Sequence, residues 1–330
     1  MDHAAGHTAA HLARGREEDG QHDGGGAPPS VPFAQRLHDR MEALGTRVCM
    51  GIDPRPDRHP STHPQSHAGD PAKIAKAVVV YFRDLIDAAA EHLACVKLQS
   101  AFFERMGVPG LIGMAQLLAD ARERDIPVIL DAKRGDVGST AEAYADAYLG
   151  GGVFAADALT VQPYLGMDAI EPFVRAAQRE HRGLFVLVRT SNPGGADLQD
   201  LALADTGTGA TTVADRLADL LTERARELGV DARGYGPLGA VVGGTVPERL
   251  ASLRRRLPHS VLLVPGYGAQ GADAEGVRAA FDADGLGAVV SASRSLTYLD
   301  GDDPPREAAA AAKGMRDAIR AAIASEGPAR

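Results

Sequence analysis

Short apolar runs rich in β-branched residues alternate along this chain with longer amphipathic stretches rich in Ala, Leu and Arg. Eight runs stand out: Arg47–Asp53, Ala94–Gln99, Pro127–Asp131, Ala158–Gln162, Leu184–Arg189, Gly239–Val242, Val261–Val264 and Ala288–Ser291. They are almost continuously apolar rather than alternating, as strands buried on both faces should be. The spacing between them predicts helices over Ala72–His92, Gly110–Arg124, Ser139–Leu149, Met167–Glu180, Val213–Leu228 and Val246–Arg256. A last helix, Arg306–Ser325, follows the eighth run. Repeated strand-then-helix units with eight strands predict an α/β fold, a closed parallel (β/α)8 TIM barrel. An open doubly wound sheet is the alternative, weakened because no GxGxxG follows the first strand. Residues 31–324 form the single barrel domain on this reading. Residues 1–30, rich in Gly, His, Asp and Ala, and 325–330 read as disordered tails. His3, His7, His11 and His22 in the first tail could at most bind a metal adventitiously.

Two connections break the rhythm. Asp53 to Pro71 is rich in Pro, His, Asp and Arg, and Thr190 to Thr212 in Gly, Asp, Thr and Ala. Loops of this length in a compact domain are usually functional. Both follow strands, so a barrel places them on the face where active sites are built.

Composition narrows the function. A net charge of −9 argues against general binding to nucleic acid or to an anionic membrane. No apolar run is long enough to span a bilayer, and no secretory signal is visible, so a cytoplasmic location is the expectation. The two cysteines, Cys49 and Cys95, fall in predicted strands and read as buried thiols, with no zinc spacing or disulfide framework. Lys and Arg total 35, yet only five are lysines: Lys73, Lys76, Lys97, Lys133 and Lys313. Arginine is a fixed cation, whereas lysine can give up a proton near the working range. Two of the five stand at strand ends.

Those ends carry the candidate chemistry. Strand one ends in Gly-Ile-Asp53-Pro, strand two reads Cys-Val-Lys97-Leu-Gln, and strand three ends in Ile-Leu-Asp131-Ala-Lys133-Arg-Gly-Asp136. Strand alternation predicts that Asp131 and Lys133, two apart, point the same way. Asp136 lies beyond the strand in a glycine-containing loop and need not face its own barrel. Any one of these residues alone would read as a cap or an ion pair. Charge on three adjacent strands, at one end, is costly in a partly dry pocket unless it is paired or used. Farther on, strand seven runs into Val264-Pro-Gly-Tyr267-Gly268-Ala-Gln270-Gly271, and strand eight into Ser291-Ala-Ser-Arg294-Ser. Barrel enzymes often hold phosphate with these two loops. Strand five ends in Arg189-Thr-Ser191-Asn192-Pro193. Thr160, Gln162, Gly243 and Thr245 stand near strand ends as pocket lining.

The stretch Asp131-Ala-Lys133-Arg-Gly-Asp136 matches an Asp-x-Lys-x-x-Asp signature. From about Gly51 to Ser295 the chain resembles orotidine-5′-phosphate decarboxylases, in particular the bacterial subgroup with longer chains (type 2). The resemblance implies decarboxylation of orotidine 5′-phosphate to UMP and CO2, with no cofactor and no metal. It implies that Lys133 protonates C6, Asp131 sits beside the departing carboxylate, Lys97 pairs with the carboxylates and contacts the ribose, and Asp53 binds a ribose hydroxyl. Ser191 would meet the pyrimidine edge. Gln270 and Arg294, with the glycines of the strand-seven loop such as Gly268, would hold the phosphate. It also implies a homodimer in which Asp136 completes the neighbour's site. Two alternatives stay open: a magnesium-dependent sugar-phosphate decarboxylase or aldolase on the same barrel, and a phosphate-binding barrel without catalysis. The first uses extra carboxylates near the motif, whereas Val128, Ile129 and Leu130 precede Asp131 here.

Overall fold

The computed structural model describes residues 29–204, 207, 209–268, 271–299 and 301–325. Most of both expected tails, including the four tail histidines, therefore lies outside the described residues. Eight strands, β1 (Val48–Ile52), β2 (Cys95–Gln99), β3 (Val128–Arg134), β4 (Ala158–Val161), β5 (Gly183–Arg189), β6 (Leu238–Val242), β7 (Leu262–Pro265) and β8 (Ala288–Ala292), pair in parallel in sequence order. The closing pair is β8 with β1, so the barrel has no edge. All eight predicted strands form, with no end shifted by more than three residues. The largest shift is in β3, which was expected to stop at Asp131 and runs on to Arg134.

The helices are α1 (Phe33–Leu44), α2 (Pro71–Ala89), α3 (Ser100–Glu104), α4 (Gly107–Glu123), α5 (Gly138–Leu149) and α6 (Met167–Arg179). They continue with α7 (Ala196–Gln199), α8 (Val213–Leu228), α9 (Pro247–Arg256), α10 (Ala274–Val277), α11 (Arg294–Thr297) and α12 (Pro304–Ala324). Their starts follow ordinary capping chemistry. Asp70 accepts from the N–H groups of Ala72 and Lys73 ahead of Pro71, and Thr212 forms a capping box with Asp215. No helix among the described residues is long and apolar enough to cross a membrane.

Two apolar layers follow from strand parity. Val48, Met50, Ile52, Val96, Leu98, Val128 and Leu130 face outward against the helices. Cys49, Cys95, Ile129, Phe185, Val241, Leu263 and Val289 face inward and fill the lower barrel. Both cysteines are free and buried, as expected. The pattern reading did not pick out α1, which plugs the N-terminal mouth: Phe33, Leu37 and Met41 join the inward cluster. The Phe33 ring meets Phe185 edge-on at 6.0 Å. The bulk of Phe185 requires a small partner. A Cβ added at Gly239 would sit 2.8 Å from its ring and 2.7 Å from the Val261 carbonyl. With the lower barrel filled and plugged, only the C-terminal end is open for chemistry. The two long connections lie at that end, each carrying short helical turns, Pro56–Arg58 and Pro64–His67 in the first, Pro193–Gly195 and α7 in the second.

Candidate active site

At the open end a cavity of about 330 Å³ is walled by residues from β2, β3 and β5 to β8 and from the loops after β1, β5, β7 and β8. Its floor is apolar, made by Leu187, Val241 and Leu263. Four cations, Lys97, Lys133, Arg55 and Arg294, and two carboxylates, Asp53 and Asp131, line it. An acidic protein thus concentrates net positive charge in one cavity, which suits an anionic small molecule.

The centre of the charge network is Asp131, 7% exposed. Each of its oxygens accepts two hydrogen bonds. Oδ2 takes Lys97 Nζ at 2.9 Å and Gln99 Nε2 at 2.9 Å. Oδ1 takes Lys133 Nζ at 2.6 Å and Thr160 Oγ1 at 3.0 Å. Burial pushes the Asp131 carboxyl upward, but the ammonium groups of Lys97 and Lys133 and their hydrogen bonds outweigh it and hold the pKa well below the usual carboxylate range. For Lys97, burial alone would lower the pKa. The carboxylates of Asp131 and Asp53 reverse this and hold it above the ordinary lysine range. Asp131 and Lys97 are therefore a charged pair at any working pH. Lys133 differs: its side chain is 46% exposed, facing the cavity.

The Asp131–Lys133 contact expected from parity is present, but plain alternation does not produce it. Lys133 has φ +48°, a left-handed conformation that costs a non-glycine residue about 1–3 kcal/mol. The pairing of β3 with β4 jumps there, from Leu130↔Leu159 to Arg134↔Val161. The kink turns the lysine back onto Asp131, two residues earlier.

Asp53 and Ser293 line the cavity, and Asp53 Oδ1 and Ser293 Oγ are buried with no hydrogen-bond partner among the described residues. Unsatisfied buried acceptors and donors call for an explanation, and at a cavity wall the ready one is ligand contact. Ser191 lies on the opposite side with Thr190 and Asn192. A Cβ at Gly243 would come within 2.8 Å of Ser191 Cα, so glycine there allows β6 to approach this loop. Gln199 accepts from the Thr190 N–H at 2.8 Å, and Asp200 accepts from Arg189 Nη2 at 2.9 Å, clasping the loop base.

Arg294 opens α11 at the cavity rim and forms no ion pair among the described residues. Gly266 and Tyr267 line the wall beside it, while Gly268 (φ +70°) sits in the following turn and is not part of the wall. Gln270 lies outside the described residues. Asp136 does not line the cavity of its own chain; its carboxylate accepts from the Val137 N–H at 2.8 Å. Sequence reasoning left Arg55 and Gln99 without roles and gave Thr160 that of pocket lining, with Gln162, Gly243 and Thr245; none of these four lines the cavity. Arg55 lies over the Phe102 ring, 5.3 Å from its centroid, at the cavity wall. Gln99 had a partial signal, since it stands two residues after Lys97 on the same face of β2; that it lies opposite Asp131 is set by the register of β2 with β3.

The model of the Orotidine 5′-phosphate decarboxylase / HUMPS family matches residues 46–312. An orotidine 5′-phosphate decarboxylase from Rhodopirellula baltica is 44% identical over 299 residues, covering 88% of this chain and 96% of the relative. One from Deinococcus radiodurans is 42% identical over 293 residues, covering 88% and 98%. Among solved structures, the Leishmania donovani OMP decarboxylase superposes with a TM-score of 0.69 at 32% identity, over 88% of this chain and 99% of that one.

Proposed function

The chain belongs to the orotidine 5′-phosphate decarboxylase / HUMPS family and decarboxylates orotidine 5′-phosphate in pyrimidine biosynthesis; from that premise we propose how its own residues carry the reaction. The observation that carries the proposal is the ammonium of Lys133, half exposed to the cavity yet fixed at 2.6 Å from a carboxylate that is itself held by three other donors.

Loss of CO2 breaks the bond from C6 to the carboxyl carbon and leaves an electron pair at C6. No adjacent carbonyl spreads that charge, so stabilisation has to come from preorganised charge. Lys133 Nζ places a cation where the pair develops and then delivers the proton to C6. Asp131 keeps that ammonium oriented, and it faces the departing carboxylate. Lys97 neutralises Asp131 from below and reaches the ribose side. The bare Asp53 Oδ1 accepts from a ribose hydroxyl. Ser191 reads the pyrimidine edge from the β5 loop. Arg294, with Gln270, holds the 5′-phosphate, and a guanidinium suits that bidentate contact. Binding energy from the remote phosphate is then available at C6.

Asp136 is not among the residues that line the cavity of its own chain, and this supports a homodimer in which it enters the neighbour's site. The test of the whole reading is the loss of orotidine 5′-phosphate absorbance with purified protein. Turnover is expected for the wild type, together with loss of nearly all kcat and retained UMP binding in Lys133→Ala. No turnover by the wild type would overturn the activity, and near-normal turnover by Lys133→Ala would overturn the role of that lysine.

A further inference from the structure

We propose that Thr160 is a positioning residue for the proton-donating lysine, acting through its hydroxyl at the kink of β3; the inference rests on the reading of Lys133 as the C6 acid. Thr160 is the third residue of β4 and is 1% exposed. Its oxygen accepts from the Lys133 backbone N–H at 2.9 Å and its hydrogen goes to Asp131 Oδ1 at 3.0 Å. Those directions are forced. An ionised carboxylate only accepts and a backbone N–H only donates, so the single hydroxyl hydrogen has one destination.

The position explains the need. Between the pairs Leu130↔Leu159 and Arg134↔Val161, β3 advances four residues while β4 advances two. Within that bulge Lys133 adopts φ +48°, and its N–H turns to the Thr160 side chain in place of a β4 carbonyl. The same hydroxyl grips Oδ1, the oxygen that Lys133 Nζ meets at 2.6 Å. One side chain therefore ties the backbone and the ammonium of Lys133 to a common point. A β-branched residue suits this because its χ1 is stiff. Thr160 is absent from the cavity wall, so it acts through Lys133 rather than on substrate.

Replacing Thr160 with the near-isosteric Val removes both hydrogen bonds and keeps the volume. The expected result is a roughly 10- to 100-fold fall in kcat, with KM for orotidine 5′-phosphate and affinity for UMP close to wild type. Thr160→Ser, which restores the hydroxyl, is expected to recover most of the lost kcat. Wild-type kcat in Thr160→Val would overturn the proposal. So would a Thr160→Ser enzyme as slow as Thr160→Val, because packing of the methyl group would then be the cause. If Thr160→Val does not fold, Thr160→Ala against Thr160→Ser asks the same question with the same two outcomes. Lys133→Ala measured alongside separates the two readings. Near-normal turnover in that variant faults the acid assignment, whereas an inactive Lys133→Ala beside a normal Thr160→Val faults the positioning role alone.

Discussion

At the scale of single residues, the site is governed by one carboxylate serving two lysines. Asp131 and Lys97 are both nearly buried, and breaking such a pair is expensive because the surviving charge is left without a partner. Asp131→Asn should therefore lower folding stability at neutral pH by roughly 3 kcal/mol, measured by denaturant unfolding. The pH dependence follows from the direction of the shift. The folded pKa of Asp131 is depressed, so its contribution is present above the unfolded value of about 4 and is lost as pH falls toward the folded value. The stability gap between wild type and Asp131→Asn should narrow steadily below about pH 4; a gap constant down to acid denaturation would contradict the assigned charge state. Lys97 behaves in the opposite sense. Its raised pKa keeps its contribution whole below about 10.4 and loses it only as pH rises further, so no change from this group is expected near neutrality. Lys133→Arg tests proton donation apart from charge. Guanidinium keeps the cation but holds its proton, so kcat should fall as it does in Lys133→Ala.

At the scale of elements, the eight strands were legible because both of their faces are buried, which writes a continuous apolar run into the sequence. Helix α1 was less legible. Its apolar residues Phe33, Leu37 and Met41 recur every four residues, but it precedes the first strand and sits outside the repeating strand-helix unit. Its task is to close the barrel floor. Leu37→Ala, at a fully buried position, should cost about 2–5 kcal/mol of stability while leaving kcat and KM unchanged at temperatures where the enzyme is folded. A matching loss of kcat would mean that the plug also sets the site. The loop after β5 makes the reverse case. Asp200 clasps Arg189 at the loop base, away from the cavity wall. Asp200→Ala should reduce kcat/KM by roughly tenfold through misplacement of Ser191, with only a small drop in thermal stability.

At the scale of the whole molecule, the question is where Asp136 acts. It belongs to the motif by sequence and is excluded from the cavity of its own chain. If it completes the partner's site, mixing inactive Lys133→Ala and Asp136→Ala protomers should restore activity, up to about one intact site per heterodimer. No recovery after verified subunit exchange would place its role within its own chain. The sequence by itself determined the barrel, the face that carries chemistry and the charged residues Asp53, Lys97, Asp131 and Lys133, because burial period and strand-end position are local properties of the chain. Tertiary structure alone decided what holds those charges in place. The left-handed turn at Lys133, the Thr160 hydroxyl beneath it and the Gln99 amide on Asp131 depend on the register between neighbouring strands. Register is fixed by side chains packing between segments far apart in sequence, and no local pattern encodes it.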